Sequence, residues 1–181
     1  MVYTMEIDID GGCRGNGTPH AIGAAAAHFK VIGSHYESWT KPLPSHPRPT
    51  NQRAEMEAII LALDRALELY GELVRRPGLD VTIYTDSTYA VDCMTRWIPQ
   101  WIDNGWTTTG RRPVANKDLL EHAWYLNNQV RLVGCVQYLW IPREQNTIAD
   151  RLCNENMDNQ GRIQITDPYV NHPPIVQARQ V

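Results

Sequence analysis

The chain reads as one α/β domain in which three strands come first and helices and strands then alternate. Three patterns carry that expectation. Residues 2 to 10 alternate Tyr3, Met5, Ile7 and Ile9 with Thr4, Glu6, Asp8 and Asp10, the two-residue period of a strand. Between residues 51 and 70, Glu55, Ile59, Ala62, Leu63, Ala66, Leu69 and Tyr70 fall in one arc at 100° per residue, the period of a helix. Val81 to Thr85 is a short run rich in β-branched residues that suits a buried strand. With 181 residues, 43% of them hydrophobic, and no low-complexity tract, the chain has the size for a single core.

The elements follow in order. After the first strand, Gly11-Gly12-Cys13-Arg14-Gly15-Asn16-Gly17 reads as a glycine-rich loop. Residues 21 to 30 and 34 to 41 pair as a hairpin around Ile32-Gly33-Ser34, and Pro42, Pro44, Pro47 and Pro49 mark a loop after it. Thr50 is placed to cap a helix from about Asn51 to Tyr70. The Val81 to Thr85 strand leads into a helix from Ser87 to about Trp97, then a Trp-rich stretch and a helix near 117 to 129. A strand from Leu132 to Ile141 and a helix from Asn146 to Met157 close the domain. Residues 1 to 158 form the folded unit in this reading, and residues 159 to 181, polar with Pro168, Pro173 and Pro174, are expected to be an extended tail.

A net charge of −3 gives no global basic excess, so a role with nucleic acid has to rest on local pattern. Arg14, Arg48, Arg111, Arg112 and Arg143 fall in predicted loops beside acidic positions, and guanidinium forks suit phosphate oxygens. Cys13, Cys93, Cys135 and Cys153 have no CxxC spacing, which argues against a zinc site or a disulfide framework and for a reducing compartment. The start of the chain lacks a basic stretch followed by an apolar one, and the longest apolar run, Ala21 to Ala27, is too short to cross a bilayer. A monomer without membrane contact is expected inside the cell, in nucleus or cytoplasm, with the mitochondrion left open.

Four carboxylates stand out because they sit in four different elements: Asp10 at a strand end, Glu55 in the long helix, Asp86 after a buried strand and Asp150 at the entry of the last helix. Acidic ligands delivered from separate elements onto one point are what a pair of divalent ions sharing a phosphate requires. The helical arc separates two neighbouring glutamates. Glu55 lies on the apolar side, where a carboxylate is costly unless paired or metal-bound, whereas Arg53, Glu57, Asp64 and Glu68 fall in the opposite arc and Glu57 reads as solvated. Asp10-Gly11 could also be a turn, Asp86 a helix cap and Asp150 a border residue of its helix, so these three are ambiguous singly. Asp8 shares a strand face with Asp10 but is left out of the site.

Taken in order, Asp10-Gly-Gly-Cys-Arg-Gly-Asn-Gly, Thr50-Asn-Gln-Arg-Ala-Glu55, Thr85-Asp86-Ser87 and Ala149-Asp150-Arg-Leu resemble type I ribonuclease H, across roughly residues 3 to 158. Trp97-Ile-Pro-Gln-Trp-Ile-Asp-Asn-Gly-Trp106 and Arg112-Pro-Val-Ala-Asn116 are similar to the family's substrate-gripping protrusion. The resemblance implies a ribonuclease H-like βββαβαβα fold, a mixed five-stranded sheet flanked by helices. It further implies endonucleolytic cleavage of the RNA strand of RNA-DNA hybrids, leaving 5′-phosphate and 3′-hydroxyl ends. Asp10, Glu55, Asp86 and Asp150 match the family's ligands for two Mg²⁺ ions, with Mn²⁺ as an alternative. One ion would acidify the attacking water and the other would stabilise the leaving 3′ oxygen.

By the same resemblance Cys13, Asn16, Asn51 and Gln52 would meet the RNA strand and its 2′-hydroxyls. Arg48, Thr50 and Asn116 would hold a DNA phosphate, and Trp97 and Trp106 would stack along the DNA strand. The chain departs from the pattern in Ile141-Pro-Arg-Glu-Gln-Asn-Thr147, which lacks the loop histidine of many members, a eukaryotic or fungal-like trait. Arg143 is the candidate for that role, with Glu144 and Asn146 behind it. No upstream hybrid-binding module is recognisable. A detached ribonuclease H portion of a retroelement polymerase and a non-cleaving hybrid-binding module are the alternatives.

Overall fold

A computed structural model describes residues 2–30 and 36–166, with side chains as far as Gln160. Five strands form one sheet in the order β3-β2-β1-β4-β5. β1 (Val2–Arg14) pairs antiparallel with β2 (Ile22–Lys30), which pairs antiparallel with β3 (Tyr36–Pro42). On its other side β1 runs parallel to β4 (Gly78–Thr85), and β4 parallel to β5 (Gly134–Trp140). The expected mixed sheet of five strands is therefore present. The hairpin turn at Ile32-Gly33-Ser34 lies outside the described residues.

Alternation along β1 sorts its side chains into two layers. Met5, Ile7 and Ile9 join Ala25, Ala27, Phe29, Val81 and Ile83 in the main core under α1 (Asn51–Gly71) and α4 (Lys117–Val133). On the opposite side Ala24 and Ala26 form a smaller cluster with Cys153 and Met157 of α5 (Thr147–Thr166). Thr50 caps α1 as the sequence predicts, its hydroxyl accepting from the Arg53 backbone N–H at 3.2 Å.

Four expectations need correction. Gly11 to Arg14 are strand rather than loop, because β2 continues beside them down to Arg14↔Ile22 and supplies hydrogen-bond partners that local sequence does not reveal. The helix after Ser87 is not one rod ending at Trp97. It begins as α2 (Thr88–Asp92), widens into a π-helical turn over Cys93–Trp97 and resumes as α3 (Ile98–Asp103). Pro99 has no N–H to offer the carbonyl of Thr95, which accounts for a disturbed ladder at this point.

Glu57 and Arg53 are buried, at 8% exposure each, because α1 is sandwiched between the sheet and α4 and has little solvent side at its N-terminal half. Each charge is paired: Lys41 Nζ reaches Glu57 at 2.9 Å and the Arg53 guanidinium reaches Asp118 at 2.7 Å. Finally, residues 159–166 continue α5 instead of forming a tail. Gln160 explains the first part of that continuation, its amide donating to Gly23 O at 3.0 Å and tying the helix to β2. Residues 167–181 lie outside the described residues. Among the described residues no helix is long and apolar enough to cross a membrane.

Candidate active site

The parallel register of β1 and β4 brings the first two carboxylates together. Asp8 pairs with Tyr84, and two residues further along, on the same face, stand Asp10 and Asp86. Neither local alternative holds for them. β1 does not turn at Asp10, and α2 is capped by Ser87, whose hydroxyl accepts from Ala90 N–H at 3.1 Å, so the Asp86 carboxylate is not used as the cap. Glu55 arrives from the first turns of α1, which lies against β1 where the strand has no side chain. A Cβ on Gly11 would sit 2.2 Å from the Ala54 carbonyl atoms and 2.3 Å from Glu55 N, so only glycine permits that approach.

The fourth comes from α5, where a negative charge in the first turn is favoured by the exposed N–H groups. Asp10, Glu55, Asp86 and Asp150 line one open pocket of about 380 Å³ together with Gly11, Gly12, Cys13, Arg14, Asn51, Ser87, Arg143, Asn154 and Met157.

Neighbouring polar groups hold two of the acids. Asn146, 1% exposed, donates from Nδ2 to Ile9 O at 2.8 Å and to Asp86 Oδ1 at 3.1 Å, stitching α5 to both strands. Trp140 Nε1 donates to Asp86 O at 3.0 Å. Asp150 receives the Arg143 guanidinium on Oδ1 at 2.5 Å and the Asn154 amide on Oδ2 at 3.2 Å. Burial, reinforced by the charge of Asp86 and then Asp150, pushes the Asp10 carboxyl up to about 6, against smaller opposing effects of Cys153 and Arg143. Glu55 is raised as well, by burial first and by Asp10 and Asp86 in addition. Its Oε2 is buried without a hydrogen-bond partner.

Four carboxylates, one with an orphaned buried oxygen, suit a hard divalent cation. Among the described residues no three His, Cys, Asp or Glu side chains are gathered closely enough to grip an ion as they stand. Burial, and to a lesser extent the neighbouring carboxylates, disfavours charge on Asp10 and Glu55, which a bound cation would offset.

A profile of the RNase H family matches residues 3–158. The chain belongs to the ribonuclease H family. A ribonuclease H of Erythrobacter litoralis is 31% identical over 160 residues, covering 86% of this chain and 97% of that one. A second, from Thermosynechococcus vestitus, is 30% identical over 154 residues, covering 85% and 86%. Among solved structures, LC9-RNase H1, described as a type 1 RNase H with the type 2 active-site motif, superposes with a TM-score of 0.71 at 25% identity over 88% of this chain and 74% of that one. The N-terminal RNase H domain of a Mycobacterium tuberculosis protein gives 0.63 at 26% identity, over 90% and 99%. These curated relatives are bacterial and lend no support to a eukaryotic affinity. As a ribonuclease H, the protein is a hydrolase of a family that generally works with divalent metal ions.

The remaining expected residues divide. Cys13 and Asn51 line the pocket and touch, the Cys13 N–H donating to Asn51 Oδ1 at 3.0 Å. Asn16 and Gln52 are exposed and lie outside the lining. Thr50 and Asn116 are linked through a residue on the helical arc opposite Glu55, since Arg53 donates its backbone N–H to Thr50 and its guanidinium to Asn116 Oδ1 at 3.3 Å. Arg48 is exposed on the preceding loop.

Trp97 and Trp106 are half-buried members of an aromatic series in which Tyr89, Trp97, Trp101 and Trp106 follow one another at centroid separations of 5.9, 5.8 and 6.4 Å. Lys117 stands 5.4 Å over the Trp106 ring. Besides Arg53, the residues not singled out in advance are Asn154 and Met157. Asn154 had one available signal, its position four residues after Asp150 on the same helix.

Proposed function

We propose that this pocket is the active site of an endonuclease that hydrolyses the RNA strand of RNA-DNA hybrids with two Mg²⁺ ions held by Asp10, Glu55, Asp86 and Asp150. The observation that carries the reading is the convergence of four carboxylates from four elements in one pocket, with a buried Glu55 oxygen awaiting a partner. Bound divalent ions would supply an acidified attacking water and charge stabilisation at the leaving oxygen, to give 5′-phosphate and 3′-hydroxyl ends. Mn²⁺, which also accepts carboxylate and water ligands, would substitute.

The chain's own residues prepare that chemistry. Burial raises the carboxyls of Asp10 and Glu55, so a bound ion would compete with protons there, and Asn146 holds Asp86 in place through its amide. Arg143 occupies one oxygen of Asp150 from the loop that lacks a histidine, and is the additional catalytic candidate there. Cys13, Asn16, Asn51 and Gln52 would face the RNA strand, and Arg48, Thr50, Asn116, Trp97 and Trp106 the DNA strand. The protein is read as a monomer working inside the cell.

A cleavage assay on labelled hybrid, duplex RNA and duplex DNA, with and without Mg²⁺, tests this. Metal-dependent cutting of RNA in the hybrid alone is expected, and Asp86→Asn should reduce it by on the order of 10³-fold, the rate equivalent of several kcal/mol, while the fold persists. Undiminished cutting by Asp86→Asn would overturn the assignment. Hybrid binding without cutting would favour the non-cleaving module, and cutting only beside an added polymerase chain the retroelement portion.

A further inference from the structure

Asp150 is held on both carboxylate oxygens by neighbouring side chains of the pocket wall. Arg143 takes Oδ1, and on the other side Asn154 donates Nδ2 to Asp150 Oδ2 at 3.2 Å and to Asp150 O at 2.9 Å. The orientation of the Asn154 amide is itself decided by a third residue. Arg14 Nη2 donates to Asn154 Oδ1 at 3.2 Å and to Asn154 O at 3.4 Å, while Arg14 Nη1 is paired with Asp158. With Oδ1 committed to a guanidinium, Nδ2 is left to face the carboxylate. A flipped amide would set two acceptors against each other at Asp150 and a donor against Arg14.

Arg14 is the last residue of β1, directly after Cys13, which is held by Asn51 at the start of α1. Asp150, Asn154 and Asp158 are spaced by four on α5, so their side chains stack along one helix face opposite that strand end.

We propose that Arg14 and Asn154 form a positioning relay that fixes the Asp150 carboxylate for a divalent ion and ties it to the strand end that would meet the RNA. The inference rests on the reading of Asp150 as a metal ligand. Arg14 in this role is a positioning residue rather than a phosphate contact, because both arms of its guanidinium are already committed to α5. Outer partners of this kind tune how firmly a ligand holds its metal without touching the metal.

The test uses the full chain and two readouts: Mn²⁺ binding followed by electron paramagnetic resonance, and binding of a non-cleavable hybrid in EDTA. Arg14→Met and Asn154→Ala should each weaken Mn²⁺ binding about tenfold, and the double variant should be no worse than either alone, since both break one chain of contacts. Hybrid affinity in EDTA should stay within about twofold of wild type for each, and steady-state cleavage should show the loss in kcat and in the half-saturating Mg²⁺ concentration. Arg14→Lys retains the pairing with Asp158 but loses the fork, so it keeps the fold while still weakening Mn²⁺ binding, which separates positioning from anchoring of α5.

The relay is overturned if the variants bind Mn²⁺ as wild type does, if the two losses add, or if Arg14→Met loses hybrid affinity in EDTA instead. Asp150→Asn decides what has failed. If it is silent in both readouts the metal-ligand reading falls and the relay with it; if it is damaging while the Arg14 and Asn154 variants are silent, only the relay falls.

Discussion

On β1, Met5, Ile7 and Ile9 point under α1 and are at most 4% exposed, while Asp8 and Asp10, each one residue away, point to the side of α5. The two faces are made by one strand with one backbone geometry, yet they contribute opposite terms. Each buried aliphatic side chain on the first face adds roughly 1.5–3 kcal/mol to folding. On the second, Asp8 is compensated by Lys30 at 3.0 Å, whereas burial and the charge of Asp86 outweigh the weaker influence of Arg143 on Asp10, which holds its proton up to about 6. The core face of the strand stabilises the fold, while Asp10 on the other face carries a charge that burial and Asp86 disfavour.

The widest separation between the faces should come from Ile7→Ala and Asp10→Asn, three residues apart on β1 and on opposite faces. Ile7→Ala opens a cavity in the main core and should cost about 2–5 kcal/mol of stability, read from denaturant unfolding, with kcat per folded molecule unchanged. Asp10→Asn should do the reverse. Cutting falls by on the order of 10³-fold, and the metal-free protein becomes about 1–3 kcal/mol more stable because a buried charge is removed. A destabilised Asp10→Asn would show that the acidic face contributes to folding and would erase the contrast.

Much of this was legible in the residues because it follows from period alone. Alternation in residues 2–10 and the capped amphipathic run after Thr50 gave β1 and α1, and the Gly11 approach to Ala54 explains why a glycine follows Asp10. What escaped depends on neighbours far away in sequence. A helical wheel assumes one solvent side, but Asp118 of α4 reaches Arg53 and Lys41 of β3 reaches Glu57, and nothing local announces those partners. The extension of β1 through Arg14 required β2 as partner, and the continuation of α5 past Met157 required Gly23 as an anchor for Gln160. In the pocket the acids were readable by type, while Asn146 and Asn154 act through geometry that only folding creates.

A sharper comparison of the faces comes from pH. Asp10 has its carboxyl raised in the folded state from an ordinary 3.8 to about 6, so the folded form keeps its proton where the unfolded chain has lost it. Such a group withdraws stability as pH rises from about 4 to 6, and the deficit stays constant above that. Thermal unfolding of the metal-free protein should therefore show a downward slope over this window that is reduced in Asp10→Asn. Added Mg²⁺ should raise the melting temperature more at pH 7.5 than at pH 5, since ion and proton compete for the same carboxylates. Equal slopes for wild type and Asp10→Asn would mean that Asp10 is not the group that couples pH to folding.

The smallest expected effect concerns a charge on the core side of the sheet. Arg53 is buried on α1, and its partners are peripheral: Asp118 is 56% exposed at its side chain, and Asn116 sits at the left-handed start of α4 with φ 56°. Arg53→Met keeps the stem volume and removes the fork. Because Asp118 can turn to water, the loss should stop at about 1–2 kcal/mol, well short of Ile7→Ala. Its effect on the hybrid should be seen in KM more than in kcat, because the fork keeps Asn116 beside Thr50 while the carboxylates lie elsewhere. If kcat drops instead and KM holds, Arg53 communicates with the acidic pocket through α1 and Glu55, and the division of labour between the two faces is less complete than their burial indicates.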